Sequence, residues 1–321
     1  MIKGTTQLLG VIGYPVEHSF SPLMHNAAIA HLNAQQANAD FVYLPFPIRP
    51  EWLKDAIAGF TAIGLRGFNI TIPHKQAIMP LLDDISDIAR AIGAVNTVWR
   101  SESENQVRWH GTNTDVTGFM APLKALKRDW SNAPAIILGN GGAARAVVAA
   151  CHQLGFPQIW VVGRSPDKLQ QFKQSWANSP DIAEKLSVCL QHDLVPYANK
   201  AASPKASPKA SLVVNATPLG MHPQVKHTPL DQAQMQAIMA TDAIAYDLIY
   251  TPRPTQFLQQ ASTAGFATID GLEMLIQQGA AALEIWLGQP APVSVMRQTL
   301  LNHLGQSHEN RGKLNTAVPG T

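Results

Sequence analysis

Residues 139–145 read Gly-Asn-Gly-Gly-Ala-Ala-Arg, between an apolar run, Ala135-Ile-Ile-Leu138, and an alanine-rich stretch with helical spacing. A glycine turn from strand into helix suits one task above others, the cradling of phosphate. Gly139 permits a sharp exit from the strand, Gly141 lets backbone approach a pyrophosphate, and Ala144 takes the small position where helix and strand pack. The free N–H groups and positive end of the helix then face the anion. Gly139, Asn140, Gly141, Gly142 and Ala143 are the expected phosphate contacts. About 20 residues further on, where the ribose is read, a second apolar run ends on Gly163-Arg164-Ser165 rather than on an Asp or Glu. An acid there would accept from a free 2′-hydroxyl. Arg164 instead offers charge to a 2′-phosphate, with Ser165 and Lys168 as further donors, so the expected cofactor is NADP. Taken singly, the turn could merely pack a βαβ unit, and Arg164 and Lys168 could be solvated surface bases.

Such residues need a scaffold that delivers them to one edge of a sheet. The first third of the chain alternates short apolar runs with helical patterns: strands at Gln7–Ile12, Asp40–Leu44 and Gly67–Ile72, helices at His25–Leu32 and Trp52–Ile63, then short strands at Ala94–Trp99 and Val107–Gly111. That order implies an α/β domain with a mostly parallel sheet. A helix from Asp115 leads into the glycine-turn unit, whose later strands are expected at Ser187–Leu190, Leu212–Asn215, Ala243–Asp247 and Ala267–Ile269. The expected architecture is a two-domain α/β protein. A substrate domain (1–114) is completed by helices within 271–305, a Rossmann-like NADP domain spans 115–270, and the site lies in a cleft between them. Residues 306–321 are polar and expected to form a disordered tail. The direct repeat Ser-Pro-Lys-Ala-Ser-Pro-Lys-Ala-Ser over 203–211 is expected to be an exposed insertion, because proline every fourth residue breaks helix and sheet.

Composition narrows the class. With 46% hydrophobic and 14% charged residues, the 321-residue chain is globular and large enough for two cores. A net charge of +2 without a long basic run argues against nucleic acid as a partner. Cys151 and Cys189 have no metal-like spacing and form no disulfide framework, which suggests a reducing, cytoplasmic compartment. No signal-peptide pattern and no apolar run of membrane-spanning length appears, so no membrane partner is expected. His18, His25, His74 and His110 lie at irregular spacing without a carboxylate or cysteine cluster and read as loop or packing residues, so no metal is expected.

Seven separated segments together resemble the shikimate dehydrogenase family, in the family's order over about residues 7–300. They are Gly10-Val-Ile-Gly-Tyr-Pro-Val-Glu-His-Ser-Phe-Ser-Pro-Leu-Met-His-Asn26, Gly67-Phe-Asn-Ile-Thr-Ile-Pro-His-Lys75, Gly93-Ala-Val-Asn-Thr97, Gly111-Thr-Asn-Thr-Asp115, Val214-Asn-Ala-Thr-Pro-Leu-Gly-Met221, Asp247-Leu-Ile-Tyr250 and Asp270-Gly-Leu-Glu-Met-Leu-Ile-Gln-Gln-Gly279. The resemblance implies NADPH-dependent, reversible reduction of 3-dehydroshikimate to shikimate, a step of aromatic amino-acid and chorismate biosynthesis, by a monomer or homodimer. Reducing a ketone takes a hydride from the cofactor and a proton from the protein. The family's catalytic lysine and paired aspartate match Lys75 and Asp115. Either could move the proton, and the residue types favour Lys75. Ser19 and Ser21 match the carboxylate-binding pair, and Asn69, Thr71, Asn96, Tyr250 and Gln278 match positions that bind ring hydroxyls. Asn215, Thr217, Met221 and Gly271 fall on the nicotinamide side of the cofactor.

Each of these has a structural alternative when taken alone: Lys75 a solvated strand-end lysine, Asp115 a helix N-cap, Ser21 a turn former, the asparagines strand-end bonders, Tyr250 and Met221 packing residues. A quinate/shikimate dehydrogenase, a non-catalytic relative that senses the same ligand, and a folate-linked dehydrogenase are the competing readings. Gly163 departs from the family, many of whose members carry Asn before the arginine.

Overall fold

The computed structural model describes residues 2–35, 39–103, 106–194 and 209–315, with the backbone alone for 306–315. It comprises two compact units. One is Met1–Ser86 with Val95–Thr114 and Gly279–Thr321; the other is Asp87–Ala94 with Asp115–Gln278.

The first unit is built on a six-stranded sheet of β1 (Gln7–Gly13), β2 (Phe41–Pro47), β3 (Gly67–Ile70), β4 (Asp84–Ile85), β5 (Thr97–Ser103) and β6 (Gln106–Thr112), in the order β2-β1-β3-β5-β6-β4. The β2-β1-β3 part is parallel, β5 runs antiparallel to β3 and β6, and β4 pairs parallel with β6. Helices α1 (Ser21–Ala34) and α2 (Leu53–Ala62) make the crossovers between the parallel strands. Because β1 and β3 point the same way, the segments that follow them, with Ser19 and Ser21 after one and Thr71 and Lys75 after the other, leave the same edge of the sheet, the edge at which open α/β sheets bind ligands. A Cβ at Gly67 would run into the Trp286 indole, whose Nε1 donates to the Val98 carbonyl at 2.9 Å. That contact ties the C-terminal part of the chain to this sheet.

The second unit holds β7 (Ala135–Leu138), β8 (Ile159–Gly163), β9 (Leu186–Leu190), β10 (Ala210–Asn215), β11 (Met239–Asp247) and β12 (Ala267–Ile269). All run parallel in the order β12-β11-β10-β7-β8-β9, which counted from β7 is the 3-2-1-4-5-6 order of dinucleotide-binding sheets. Both faces are covered, and alternate residues show it. Ile137, Val161, Val214 and Tyr246 enter one core with helices α5 (Asp115–Ala125) and α6 (Gly142–Gln153). Ile136, Val162, Val213 and Ala245 enter the other with α9 (Gln232–Ile238) and α10 (Gln256–Thr263). Helices α7 (Pro166–Gln174) and α8 (Pro180–Lys185) follow β8.

Five local features differ from the sequence reading. The short helix α3 (His74–Ala77) follows β3, so Lys75 sits on a helical turn beyond the strand end. Helix α4 (Asp87–Ile92), not foreseen, belongs with the second unit although it lies inside the first 114 residues. Helix α11 (Gly271–Leu287) is divided, with residues up to Gln278 in the second unit and the rest in the first. The last helix, α12 (Val293–Asn315), runs through residues 306–315, where a disordered tail was expected; 316–321 lie outside the described residues. Of the expected insertion, 203–208 also lie outside them, while Ala210 and Ser211 already belong to β10.

Candidate active site

Helix α1 opens with Phe20 at its N-cap, a side chain that makes no capping bond, and Pro22 in its first turn has no amide hydrogen. Ser19 Oγ accepts from the Ser21 amide at 3.3 Å, which places both hydroxyls beside that helix end. Two hydroxyls at the positive end of a helix suit a carboxylate.

Behind them lies a buried network of neutral groups. Tyr43 hydroxyl donates to Asn69 Oδ1 at 2.8 Å, and Asn69 Nδ2 donates to the Asn96 carbonyl at 3.2 Å and to Thr97 Oγ1 at 3.1 Å. Asn96 Oδ1 accepts from the Thr97 hydroxyl at 2.9 Å and the Thr114 amide at 2.7 Å, and Asn96 Nδ2 donates to Thr114 Oγ1 at 3.0 Å. Both Asn69 donors are therefore spent inside the protein, and its contribution is to hold Asn96 and Thr97. Tyr43 stacks on His25 with ring centroids 4.3 Å apart, and burial keeps its phenol protonated by raising its pKa well above the usual value. His25 is enclosed as well, with neither ring nitrogen hydrogen-bonded, and desolvation holds it neutral with a pKa of about 3. His74 Nε2 meets the Ile48 carbonyl at 2.7 Å, and no group of histidines, cysteines and carboxylates suited to a metal occurs among the described residues.

Lys75 is half-buried, and its carbonyl accepts the Val95 amide at 2.8 Å. Asn96, the next residue, holds Thr114, and Asp115 follows as the first residue of α5, where a carboxylate complements the helix dipole. The two-residue segment Val95-Asn96 thus anchors the backbone of Lys75 on one side and the residue preceding Asp115 on the other. Gly118, one turn further, lies so close to α11 that a Cβ would meet the Met274 carbonyl at 2.6 Å and Gln278 Cβ at 2.8 Å. Gln278 is buried there, with Nε2 on the Leu275 carbonyl at 2.9 Å. Tyr250 is half-buried, and burial raises the pKa of its phenol, so the hydroxyl stays a donor.

The glycine turn has the shape a pyrophosphate requires. Gly139 adopts φ +107°, a left-handed conformation, and a Cβ there would press on the Ala216 carbonyl at 3.0 Å. Gly141 caps α6 with no side-chain bond, and Cβ atoms at Gly141 or Gly142 would enter open space. Asn140 Oδ1 hangs 3.3 Å from where a Cβ of Gly163 would stand. Arg164 is exposed and makes no hydrogen bond or ion pair among the described residues. Ser165 caps α7, accepting the Lys168 amide at 3.4 Å and leaving its hydroxyl proton to give; the Lys168 side chain is exposed. These residues fit a phosphorylated dinucleotide.

Asn215 is different. Its Nδ2 donates to the Leu219 carbonyl at 3.0 Å and Asp247 Oδ1 at 3.1 Å, and its Oδ1 accepts from the Thr217 amide at 3.0 Å and hydroxyl at 2.7 Å. Every bond it can make is internal, so it shapes the loop that presents Thr217 and the exposed Met221. Gly271 likewise serves close packing, since a Cβ there would overlap the Leu248 carbonyl. Asp247, which the sequence reading left without a role, anchors this region. Its carboxylate accepts from Asn215, from the Ile249 amide at 3.0 Å and from the Thr255 hydroxyl at 2.6 Å, and burial outweighs those donors to raise its pKa to about 6. Tyr43, Thr97 and Thr114 were also missed. Their only sequence signal is a polar residue inside an otherwise apolar strand or beside a matched motif position.

The family models and the curated relatives point to one family. Residues 11–98 match the model of the shikimate dehydrogenase substrate binding domain, and residues 271–301 that of the shikimate 5′-dehydrogenase C-terminal domain. The shikimate dehydrogenase (NADP(+)) of Trichormus variabilis is 58% identical over 307 residues, covering 95% of this chain and 99% of that protein. Among solved structures, the shikimate 5-dehydrogenase of Listeria monocytogenes in complex with shikimate and NAD has a TM-score of 0.80 at 32% identity, covering 93% of this chain and 98% of the other. The enzyme of Thermus thermophilus in complex with NADP(H) and shikimate has a TM-score of 0.74 at 31% identity, covering 92% and 98%.

Proposed function

The chain belongs to the shikimate dehydrogenase family, and we propose that it catalyses the reversible NADPH-dependent reduction of 3-dehydroshikimate to shikimate with Lys75 and Asp115 as its catalytic pair. The cofactor is NADP, and the reaction is a step toward chorismate and the aromatic amino acids. Bound NADPH supplies the hydride; the side chains supply the rest. Lys75 Nζ gives a proton to the carbonyl oxygen as it becomes an alkoxide, and takes it back in the reverse direction. Asp115 accepts a bond from the adjacent ring hydroxyl and orients the ammonium. Ser19, Ser21 and the amides opening α1 hold the substrate carboxylate. Thr71, Asn96, Tyr250 and Gln278 bond the ring hydroxyls, with Asn69 bracing Asn96 from behind.

On the cofactor side, residues 139–143 receive the pyrophosphate, while Arg164, Ser165 and Lys168 receive the 2′-phosphate. Thr217 and Met221 border the nicotinamide on a loop that Asn215 and Gly271 shape. No described helix is long and apolar enough to cross a membrane. A small polar substrate and a phosphorylated cofactor fit a cytoplasmic enzyme, acting as a monomer or homodimer.

The observation that carries the catalytic assignment is the shared grip of Val95 and Asn96 on the Lys75 carbonyl and on Thr114. The test is an assay of purified protein with shikimate or quinate, each with NADP or NAD, followed by absorbance of the reduced nicotinamide. Turnover of shikimate with NADP well above the other three pairs is expected; binding without turnover, or a preference for quinate, would overturn the reading.

A further inference from the structure

Asn140 carries the only side chain in residues 139–144 that can form a hydrogen bond. Asparagine commonly serves a turn by adopting the left-handed conformation or by bonding its own backbone two residues on. Asn140 does neither. Its φ is not positive, and its half-buried carboxamide has no hydrogen-bond partner among the described residues. Its local structure therefore gives no reason for an amide at this position.

Its surroundings, all within the second unit, do give one. The Gly139 amide donates to the Val162 carbonyl at 2.7 Å, which carries the pairing of β7 with β8 past Leu138 and sets Asn140 beside the residues that close β8. A Cβ on Gly163 would stand 3.3 Å from Asn140 Oδ1 and 3.0 and 3.2 Å from Leu169 Cδ2 and Cγ. The backbone at Gly163 is not left-handed, so glycine is not needed there for its conformation. What its missing side chain provides is space, shared by the enclosed Leu169 and the Asn140 carboxamide. Next in the chain come Arg164, exposed and unbonded among the described residues, and Ser165, whose hydroxyl proton is left to give. This end of the second strand is where the adenosine ribose is read. A ribose phosphate offers three oxygens, more acceptors than one arginine and one hydroxyl satisfy, and an amide N–H adds a donor without further charge.

We infer that the Asn140 side chain is a specificity-determining group for the phosphorylated ribose, its Nδ2 donating to the 2′-phosphate beside Arg164 while the bare backbone of Gly163 makes room for it. The pyrophosphate is left to the backbone of the turn. The inference rests on the proposed placement of the cofactor at this edge of the second sheet.

The readout is kcat/KM for NADP divided by that for NAD, measured at saturating shikimate. Asn140→Ala removes the donor and should lower this ratio by about tenfold, the worth of one hydrogen bond to a charged group. Asn140→Asp has the same size but repels a phosphate and accepts from a free 2′-hydroxyl, so it should lower the ratio by about 100-fold. Neither variant breaks a bond within the described protein, so melting temperatures should stay at the wild-type value. Gly163→Ala leaves every donor in place but crowds the carboxamide, because Leu169 is enclosed and cannot give; it should lower the ratio in the same direction and by less. Arg164→Ala, assayed alongside, separates the two levels of the argument. If it leaves the ratio unchanged, the 2′-phosphate lies elsewhere and the placement and the inference fall together. If it lowers the ratio while both Asn140 variants keep the wild-type ratio, or lose kcat/KM equally with both cofactors as a pyrophosphate contact would, the inference alone is overturned.

Discussion

Asn96 and Thr114 grip each other through Nδ2 to the hydroxyl at 3.0 Å, the Thr114 backbone N–H to Oδ1 at 2.7 Å and the Thr114 hydroxyl to Oδ1 at 3.1 Å, with both residues buried. The pair fixes Thr114, the residue that precedes Asp115 in the chain. Asn96→Ala leaves the Thr114 amide without its acceptor, at about 1–3 kcal/mol for a buried group. Chemical denaturation should show a loss of that order, and steady-state kinetics should show kcat/KM for shikimate reduced by about 100-fold. Thr114→Val keeps the amide bond and loses only the hydroxyl, so it should cost about 1 kcal/mol and leave kcat closer to wild type.

Lys75→Met removes the ammonium at a half-buried position whose backbone bond to Val95 does not depend on the side chain. The fold should survive with an unchanged melting temperature, while kcat falls by about 10³-fold, the range for losing a general acid. Asp115→Asn should lower kcat and raise KM for shikimate together if, as proposed, the carboxylate takes part both in substrate binding and in the proton transfer. Wild-type turnover in the methionine variant would remove Lys75 from the mechanism.

Arg164→Ala should raise KM for NADPH by about tenfold or more, the worth of a charge-assisted phosphate contact, and leave KM for NADH nearly unchanged. The side chain is exposed and makes no bond within the described protein, so stability should not move. An equal loss for both cofactors would place Arg164 at the pyrophosphate or in the fold.

Much of this was legible in the residues for identifiable reasons. The second sheet announced itself because its strands are buried on both faces and read as unbroken apolar runs, such as Ala135–Leu138 and Ile159–Val162, between a glycine turn and a base. The individual binding positions were legible only as residue types. Asn69, Asn96 and Asn215 look alike in sequence, yet Asn69 spends its amide donors on partners 27 and 28 residues away and Asn215 bonds Asp247, 32 residues away, and no local pattern encodes such pairings. Helices α3 and α4, with 4 and 6 residues, are too short for a 3.6-residue period to appear. Arg145 was hidden for another reason: it completes a phosphate motif while its side chain serves a carbonyl 53 residues earlier.

Tyr43→Phe tests the bracing of Asn96 through Asn69 and also removes the phenol's bond with the Ser21 side chain. The phenol hydroxyl is lost and Asn69 Oδ1 keeps no described donor, while the stack on His25 remains. A destabilisation of about 1–2 kcal/mol is expected, with a modest rise in KM for shikimate and no change in KM for NADPH. Loss of stability with unaltered shikimate kinetics would show that the network supports the fold without tuning the site.

Asp247 gives the pH dependence its sign. Its folded pKa of about 6 lies above the usual 3.8, so between those values the folded protein holds a proton that the unfolded chain has released. The group's contribution is therefore most favourable below pH 3.8, declines as pH rises through the window to 6, and stays at its lower level above it. The shift corresponds to about 3 kcal/mol. Asn in its place is isosteric: Oδ1 can still accept from Asn215 and Ile249, and Nδ2 can donate to the Thr255 hydroxyl, which turns from donor to acceptor. Asp247→Asn does not titrate, so the stability of wild type relative to the variant should fall across this window and be flat above pH 7. Comparing denaturant midpoints at matched pH cancels the carboxylates common to both proteins. A difference that is constant with pH, or that grows in favour of wild type as pH rises, would mean that the three donors outweigh burial and that Asp247 is ionised throughout.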